Sequence, residues 1–263
     1  LIIFSCATTS VEEVAELEPK EFTYDKSKNK IEDDKTYLYI RIYDPEYKNA
    51  FSAENFLKKL IGIVEVNEDK GFHCSIGFSL EDKFVGITSS KGDGINENIN
   101  IEQCTDISTN EYMASCDPRK SLQTTYGIEV SQKEFDDALA LVNSYMNSED
   151  ADYSVGMNFL IAGKEFKRKF LTPKENQNIK NMKVKEGSFS DEERENKFIC
   201  SSFVGYILQS TVGAFREFFE ERQIDYNYLM PTDIVELPKV KKLFTSNWDD
   251  YEIAAEKYMK ENW

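Results

Sequence analysis

The sequence predicts an α+β fold in which a central antiparallel sheet packs against helices. Segments in which apolar and polar residues alternate, such as KTYLYIRIY (35–43), are typical of strands. Segments with apolar residues at helical spacing, such as FVGYIL (203–208), are typical of amphipathic helices. With 263 residues, 40% of them hydrophobic, the chain can bury a substantial core, so we expect one main domain with additions.

The first half of the domain is expected to be rich in strands. Segment 35–43 alternates apolar and polar side chains, which indicates a strand with one buried face. Segment 84–88 follows segment 71–79 after a short turn, so these two strands should pair as a hairpin. The elements expected here, ahead of a polar, Asn-rich loop at 92–117, are strand 35–43, helix 52–62, strand 71–79 and strand 84–88.

The second half is expected to be rich in helices. Ser131 and Glu134 have the spacing of a capping box, so a helix should begin there. Residues 163–197 carry many charges and are expected to form a charged insertion that runs over the surface. The other elements expected are a strand at 125–130, a helix that begins at Cys200, a short helix in MPTDI (230–234) and an acidic helix ending at Trp263.

His73 is the only histidine of the sequence and lies in GFHCSIGFS (71–79). On the two-residue period of a strand, Cys74 and Ile76 should face the core, while His73 and Ser75 face a shallow surface that another element or a substrate can approach. Any acid–base chemistry by an imidazole near neutral pH would have to use His73. Because a solitary histidine is more often incidental, it becomes a candidate only with a partner.

The partner that the sequence offers is Cys200, at the start of the predicted helix in KFICSSFVGYILQS (197–210). A thiol at a helix N-terminus lies close to unpaired backbone N–H groups and to the positive end of the helix dipole, which stabilise the thiolate. The common alternative for a free thiol is a buried, inert cysteine. Cys–His catalysis requires a thiol beside an imidazole. A cysteine at the start of a helix and a histidine on a strand can supply this pair, so we expect Cys200 and His73 to be neighbours across a cleft.

Charge and ligand spacing argue against several classes of partner. The net charge is −16, and the richest basic run, KEFKRK (164–169), is short, so no nucleic-acid partner is expected. The side chains of the adjacent His73 and Cys74 diverge on a strand, which disfavours a zinc site. The sequence has no glycine-rich phosphate loop of the GxxxxGK type. We therefore expect neither a metal nor another cofactor.

The N-terminal residues LIIFSC (1–6) resemble the end of a secretory signal with the lipobox of bacterial lipoproteins. An arbitrary cysteine after a few apolar residues is the alternative. The acidic stretch from Glu12 to Asp34 has few apolar residues, as expected of a flexible tether. No segment approaches the roughly 20 consecutive apolar residues that span a bilayer. We expect an exported protein of the cell envelope, anchored to the membrane by a lipid on Cys6.

Export would place the other cysteines in an oxidising compartment. Cys104 and Cys116 enclose a polar, loop-like stretch that a disulfide could close, with a pair of unlinked thiols as the alternative. Cys74 should face the core side of its strand and is interpreted as a small hydrophobic residue.

The order of these motifs resembles the circularly permuted papain-like hydrolases related to the NlpC cell-wall peptidases. The resemblance is carried by HCSI (73–76), then FICSSFVGYIL (198–208), then PTDI (231–234). In papain the cysteine precedes the histidine, whereas in the permuted members the histidine strand comes first, as it does here. The resemblance extends from about Tyr37 to Phe244.

This resemblance implies that Cys200 is the nucleophile and His73 the general base. In the family a third polar residue on the following strand orients the imidazole, and the corresponding place here is near Gly86, which has no side chain. Thr88, or Glu102 from the loop, could take that role. The implied organisation is a lipobox remnant and tether at 1–34, a permuted papain-like domain at 35–245 that contains the charged insertion 163–197, and a helical tail at 246–263.

The function expected from the resemblance is a lipid-anchored thiol hydrolase, an amidase or peptidase acting on cell-wall peptide of the peptidoglycan type. Relatives of this fold also include enzymes similar to lecithin retinol acyltransferase. A lipid substrate would favour an apolar rim, whereas loops 91–100 and 187–197 are charged and Asn-rich. The alternatives are an acyl-ester hydrolase or acyltransferase, and a catalytically inactive surface lipoprotein that binds a ligand or a host component.

Overall fold

The protein has an α+β fold, with an antiparallel sheet packed against helices as the sequence predicts. The sheet has six strands, and each pairs antiparallel with its neighbours. The computed structural model describes residues 35–44, 71, 73–80, 84–89, 99–103, 122–146, 152–153, 155–180, 197–247 and 251–262. The helix expected at 52–62 lies outside these residues.

The strands follow the order β4-β3-β2-β1-β5-β8 across the sheet. The short strands β6 and β7 form a separate parallel pair. The strands are β1 (Thr36–Asp44), β2 (His73–Gly77), β3 (Phe84–Ser89), β4 (Ile99–Gln103), β5 (Leu122–Val130), β6 (Asp152–Tyr153), β7 (Lys197–Phe198) and β8 (Val240–Asn247).

The described helices lie mainly in the second half of the chain. They are α1 (Gln132–Met146), α2 (Val155–Leu171), α3 (Cys200–Thr211), α4 (Gly213–Arg222), α5 (Pro231–Ile234) and α6 (Tyr251–Asn262). Short 3₁₀ turns occur at Lys174–Asn176 and Tyr226–Tyr228.

The main core lies between one face of the sheet and helices α1, α3 and α4. Leu38 and Ile40 of β1 contribute from the sheet, and Phe135, Phe203 and Phe215 contribute one ring from each helix; all five are fully buried. Burial of such side chains stabilises a fold by roughly 1.5–3 kcal/mol each, so this layer holds α3 firmly on the sheet. Helix α3 contacts β2 and β3, the strands beside which the candidate nucleophile must lie.

The opposite face of the sheet is also covered. Tyr39 and Tyr43 of β1 are buried with Phe84 in a second cluster, against which Tyr258 of α6 packs. The Arg41 guanidinium lies in this layer, 3.8 Å from the centre of the Phe84 ring. The expectation of one buried face for strand 35–43 is therefore wrong, because the alternation does not reveal that α6 packs on the second face. Beside His73 and Ser75, the room expected for another element or a substrate is occupied by Tyr43 of β1.

The capping box at the start of α1 is confirmed. The Ser131 N–H donates to the Glu134 carboxylate at 2.8 Å, and the Glu134 N–H donates to the Ser131 hydroxyl at 3.3 Å. The other Glu134 oxygen accepts the Gly213 N–H at 2.9 Å, where α4 begins. One carboxylate thus caps two helices, and these hydrogen bonds lower its pKa against the opposing effect of burial.

The segment 163–197 differs from the charged surface excursion that the sequence predicts. Its first part completes α2, where Glu165 and Arg168 are buried, and Ile179 further along belongs to the main core. For residues 163–180 the interpretation missed these buried side chains, because charge count does not show that two opposite charges can be buried as a pair. Residues 181–196 lie outside the described part of the chain, so the charged insertion stays a prediction there. Strands β4 and β8 were also not predicted, since both depend on pairing with a neighbouring strand.

Candidate active site

Cys200 is the first residue of α3 and follows β7 after the single extended residue Ile199. The Ile199 N–H donates to the Ser202 hydroxyl at 2.8 Å, and the Ile199 carbonyl accepts the Phe203 N–H at 2.9 Å. The Ser201 hydroxyl donates to the Leu229 carbonyl and so fastens the first helical turn to the chain ahead of α5. These bonds fix the place at which the strand becomes a helix, and with it the position of the Cys200 thiol.

The side chains of Leu229 and Tyr226 pack closely against α3 at Gly205. A Cβ on Gly205 would lie 2.5 Å from Leu229 Cδ1 and 3.2 Å from Tyr226 Cβ. A larger residue here would require the Leu229 side chain to move away from the helix, and the 3₁₀ turn Tyr226–Tyr228 to give slightly. The segment that receives the Ser201 hydrogen bond is therefore packed directly on α3.

His73 begins β2 and pairs with Tyr43 at the end of β1. The two rings are tilted by 45° with centroids 5.5 Å apart, and the Tyr43 hydroxyl lies 3.3 Å from Ser75 Oγ, within hydrogen-bond distance. Tyr43 therefore forms one wall of the imidazole site and is itself held by Ser75. In the sequence, Tyr43 belongs to the same alternating face of β1 as Tyr39 and Arg41. Its position opposite His73 follows from the strand register, which the sequence alone does not give.

The structure brings the predicted pair into contact. The Cys200 side chain is hydrogen-bonded to the Cys74 side chain and to the His73 imidazole, and it also takes a hydrogen bond from the Cys74 backbone. Cys74 and Cys200 are both free thiols, and both belong to the main core. The thiol thus meets two consecutive residues of β2 at the point where α3 begins.

The electrostatic setting favours a Cys200 thiolate. The pKa of the Cys200 thiol is held well below its usual range, first by the hydrogen bond with the Cys74 side chain and then by the charge of His73 and the hydrogen bond with its imidazole. Burial acts in the opposite direction and is outweighed. The N-terminal position on α3 adds the helix dipole in the same favourable sense. A low-pKa thiol paired with an imidazole is the arrangement that activates cysteine nucleophiles.

Both residues are nearly closed to solvent. Cys200 is 7% exposed and His73 is 6% exposed. Such burial strengthens the electrostatic interaction between them, since little water screens it. It also means that a substrate must reach the thiol through a narrow opening or after a displacement of the surrounding chain.

The predicted PTDI motif lies beside the histidine strand. It forms α5, and a Cβ on Gly71 would lie 2.5 Å from Ile42 Cγ2, 3.3 Å from Thr232 Cγ2 and 3.5 Å from Pro231 Cβ. The chain therefore passes through a gap between β1 and α5 just before it enters β2. This contact couples the position of α5 to that of His73.

A buried ion-pair cluster fixes α5 from its other side. Arg168 of α2 lies 2.8 Å from Asp233 and 2.9 Å from Glu165, and all three side chains are buried. Asp233 also accepts the Met230 N–H at 3.0 Å, which caps α5. Because one guanidinium serves two carboxylates, burial and the Asp233 charge raise the pKa of Glu165 to about 7.

The residue that would orient the imidazole stays a prediction. Gly86 pairs with Glu102, and Thr88 pairs with Asn100, across β3 and β4. Strands β2 and β3 pair at Ile76 with Val85 and at Gly77 with Phe84. The side chains of Thr88 and Glu102 lie outside the described part of the structure.

The other predicted site residues lie elsewhere in the chain. Cys6, Cys104 and Cys116 are outside the described residues, so the lipid anchor and the disulfide stay predictions. Among the residues described, no group of three or more His, Cys, Asp or Glu side chains is placed to hold a metal ion. None of the described helices is both long enough and apolar enough to cross a bilayer.

Comparison of the chain with models of known families, with curated proteins and with solved structures found no match. The site must therefore be interpreted from its own geometry.

Proposed function

We propose that the protein is a thiol hydrolase of permuted papain-like fold that cleaves amide bonds in cell-wall peptide, with Cys200 as nucleophile and His73 as base. The observation that carries the proposal is the contact between the Cys200 thiol and the His73 imidazole at the start of α3. The order of the two motifs along the chain, with the histidine strand first, supports the permuted form of the fold.

The chemistry that this pair supports is acyl transfer through a thioester. The Cys200 thiolate attacks the carbonyl carbon, and the carbonyl electrons move to the oxygen, where N–H groups of the first turn of α3 stabilise the negative charge. When the C–N bond breaks, protonated His73 gives its proton to the leaving amine. His73 then takes a proton from water, the hydroxide attacks the thioester, and the carboxylic acid leaves as the thiolate is restored.

The proposed location is the cell envelope, with a lipid on Cys6 as the membrane anchor and residues 7–34 as the tether. Mass spectrometry of the protein extracted from native membranes should find Cys6 as the N-terminal residue with a diacyl or triacyl adduct. An unmodified Cys6 inside a longer chain would refute this part of the proposal.

The activity is tested by incubating the full chain separately with muropeptides and with short-chain acyl esters. We expect amide cleavage that is abolished by Cys200→Ala and reduced about a hundredfold to ten-thousandfold by His73→Gln. Ser210→Ala, at the exposed far end of α3, is the matched control and should retain full activity. Cys200-dependent ester hydrolysis without amide cleavage would overturn the amide assignment in favour of an acyl-ester hydrolase or acyltransferase.

A second candidate is a ligand-binding lipoprotein without catalysis. It is favoured by the burial of Cys200 and His73, because an active thiol hydrolase must admit a carbonyl carbon to its sulfur. The two candidates differ in acyl-enzyme formation. Trapping a Cys200 thioester by mass spectrometry would exclude the binding protein, and inactivity on both substrate classes together with slow alkylation of Cys200 would establish it.

A further inference from the structure

The C-terminal half of α2 has an inverted distribution of polarity. Its buried side carries Glu165 and Arg168, together with Ile161 one turn earlier. Its exposed side carries Phe166, Phe170 and Leu171, which are 50%, 53% and 72% exposed. A surface helix of a globular protein ordinarily shows the opposite arrangement, with the charges in water and the aromatic rings in the core.

The buried charges of α2 are paired, because Arg168 forms ion pairs with both Glu165 and Asp233. The outward rings are not buried by the described protein. Phe166 and Phe170 lie with ring centroids 4.8 Å apart, one helical turn from each other, so they act as one patch. With Leu171 they form an apolar face, here called the α2 outer face, and contiguous exposed apolar surface of this kind marks an interaction site.

The charges around the α2 outer face indicate its occupant. Lys167 and Lys174 are exposed beside it, and the Lys169 ammonium lies 6.0 Å from the centre of the Phe170 ring. The exposed carboxylate of Glu175 offsets one of these charges, so the face stays basic in a chain of net charge −16. Aromatic and leucine side chains bordered by lysines are the composition with which a helix lies on an anionic lipid surface.

We propose that the α2 outer face docks on a membrane that contains acidic phospholipid, with Phe166, Phe170 and Leu171 entering the interface and the flanking lysines contacting the headgroups. This contact is separate from the lipid on Cys6 and does not depend on the chemistry of Cys200. Through Ile161, the same helix packs against Ile199, the residue before Cys200. Docking would therefore bring the bilayer to the helix that adjoins the candidate nucleophile.

The test uses the full chain carrying Cys6→Ser, so that no lipid can be attached. Co-sedimentation is measured with vesicles of phosphatidylcholine alone and with an equal mixture of phosphatidylcholine and phosphatidylglycerol. We expect binding to the mixed vesicles that is weakened by salt. The double change Phe166→Ser with Phe170→Ser should weaken it about tenfold or more, because two half-exposed rings no longer enter the bilayer.

The matched control is Ile253→Ser on α6, which removes another exposed apolar side chain, 69% exposed. It should bind as the parent chain does, and so should Cys200→Ala, which separates this proposal from the proposed enzyme activity. Equal binding to both kinds of vesicle, or unchanged binding of the Phe166 and Phe170 variant, would overturn the proposal. Loss of a dimer in that variant, without vesicle binding by the parent chain, would assign the face to a second copy instead.

Discussion

The Cys200 thiol shares a hydrogen bond with the side chain of Cys74, the residue that follows His73 in β2. Cys74 is the first contributor to the low pKa of Cys200, ahead of the imidazole. A residue interpreted from the sequence as a small core hydrophobe is therefore part of the candidate site.

Replacing Cys74 should raise the pKa of Cys200. In Cys74→Ala the side-chain hydrogen bond is lost while the burial of Cys200 is unchanged, so the thiolate is less favoured. On the acidic side of the transition, each unit by which the pKa rises lowers the thiolate fraction about tenfold. Cys74→Ser keeps a hydrogen-bond donor and is the matched control. The rate of iodoacetamide labelling of Cys200 across a pH series measures the midpoint, and coincident midpoints for the alanine variant and the parent chain would contradict the assignment.

Tyr43 should act as a positioning residue for His73. Tyr43→Phe removes only the hydroxyl beside Ser75 and should leave most of the activity, whereas Tyr43→Ala removes the ring that lies 5.5 Å from the imidazole. We expect the alanine variant to move the acidic limb of the pH profile of Cys200 labelling upward, because the imidazole no longer holds a fixed place beside the sulfur. Loss of stability with an unchanged profile in Tyr43→Ala would assign the ring a packing role alone.

Glu165 should make the fold less stable as the pH rises. The pKa of Glu165 is raised from an ordinary value of 4.5 to about 7 in the folded state, so the folded protein holds this proton more tightly than the unfolded chain does. The resulting stabilisation is complete below about pH 4.5 and is lost as the pH rises through about 7. Its upper limit is on the order of 3 kcal/mol, at about 1.4 kcal/mol for each pKa unit.

The measurement is the free energy of unfolding by denaturant of the parent chain and of Glu165→Gln across this pH range. The difference between the two should shrink or reverse on the alkaline side, where the parent chain must bury a second carboxylate charge beside Asp233. Glu220→Gln, at an exposed position of α4, is the control and should follow the parent chain. A constant difference between parent and Glu165→Gln at all pH values would show that Glu165 does not titrate in this range.

Two glycines in helices should respond in opposite directions to alanine. Gly205→Ala places a Cβ 2.5 Å from Leu229 Cδ1, so the fully buried Leu229 side chain must move within a packed core, at a cost of about 1–3 kcal/mol. Gly163→Ala in α2 meets nothing within 4 Å and should stabilise the helix by about 0.5–1 kcal/mol. Thermal unfolding of both variants checks the pair, and equal effects would contradict the close packing of α3 on the 3₁₀ turn.

The local features of the fold could be predicted from the sequence because each depends on residues close together in the chain. The capping box of Ser131 and Glu134 needs only a three-residue spacing, and the β2–β3 hairpin needs only a short turn. The contact between His73 and Cys200 was predicted from two local motifs and a family resemblance.

The remaining features depend on tertiary packing that no local pattern encodes. Arg41 looks like the solvent-facing residue of an alternating strand, yet it is buried on Phe84 because Gly77 leaves room for that ring. Arg168 lies in a basic run but is matched by Asp233, which is distant in the sequence. Tyr43 reaches His73 through strand register, which the sequence does not specify on its own.

The pairing of β6 with β7 has a consequence for how such proteins can diversify. Asp152 pairs with Lys197 and Tyr153 with Phe198, so the segment that contains α2 is joined to the fold by a short parallel pair that ends two residues before Cys200. We expect a mutation that changes the length of the segment between these strands to leave Cys200 in place where it spares α2 and Ile179. Such a change would need to keep the contact of Ile161 with Ile199, the Arg168 cation beside Asp233, and the Ile179 side chain in the main core. The β6–β7 pair therefore fixes the chain just before Cys200, while the core contacts of α2 and Ile179 limit which changes of the intervening segment the fold tolerates.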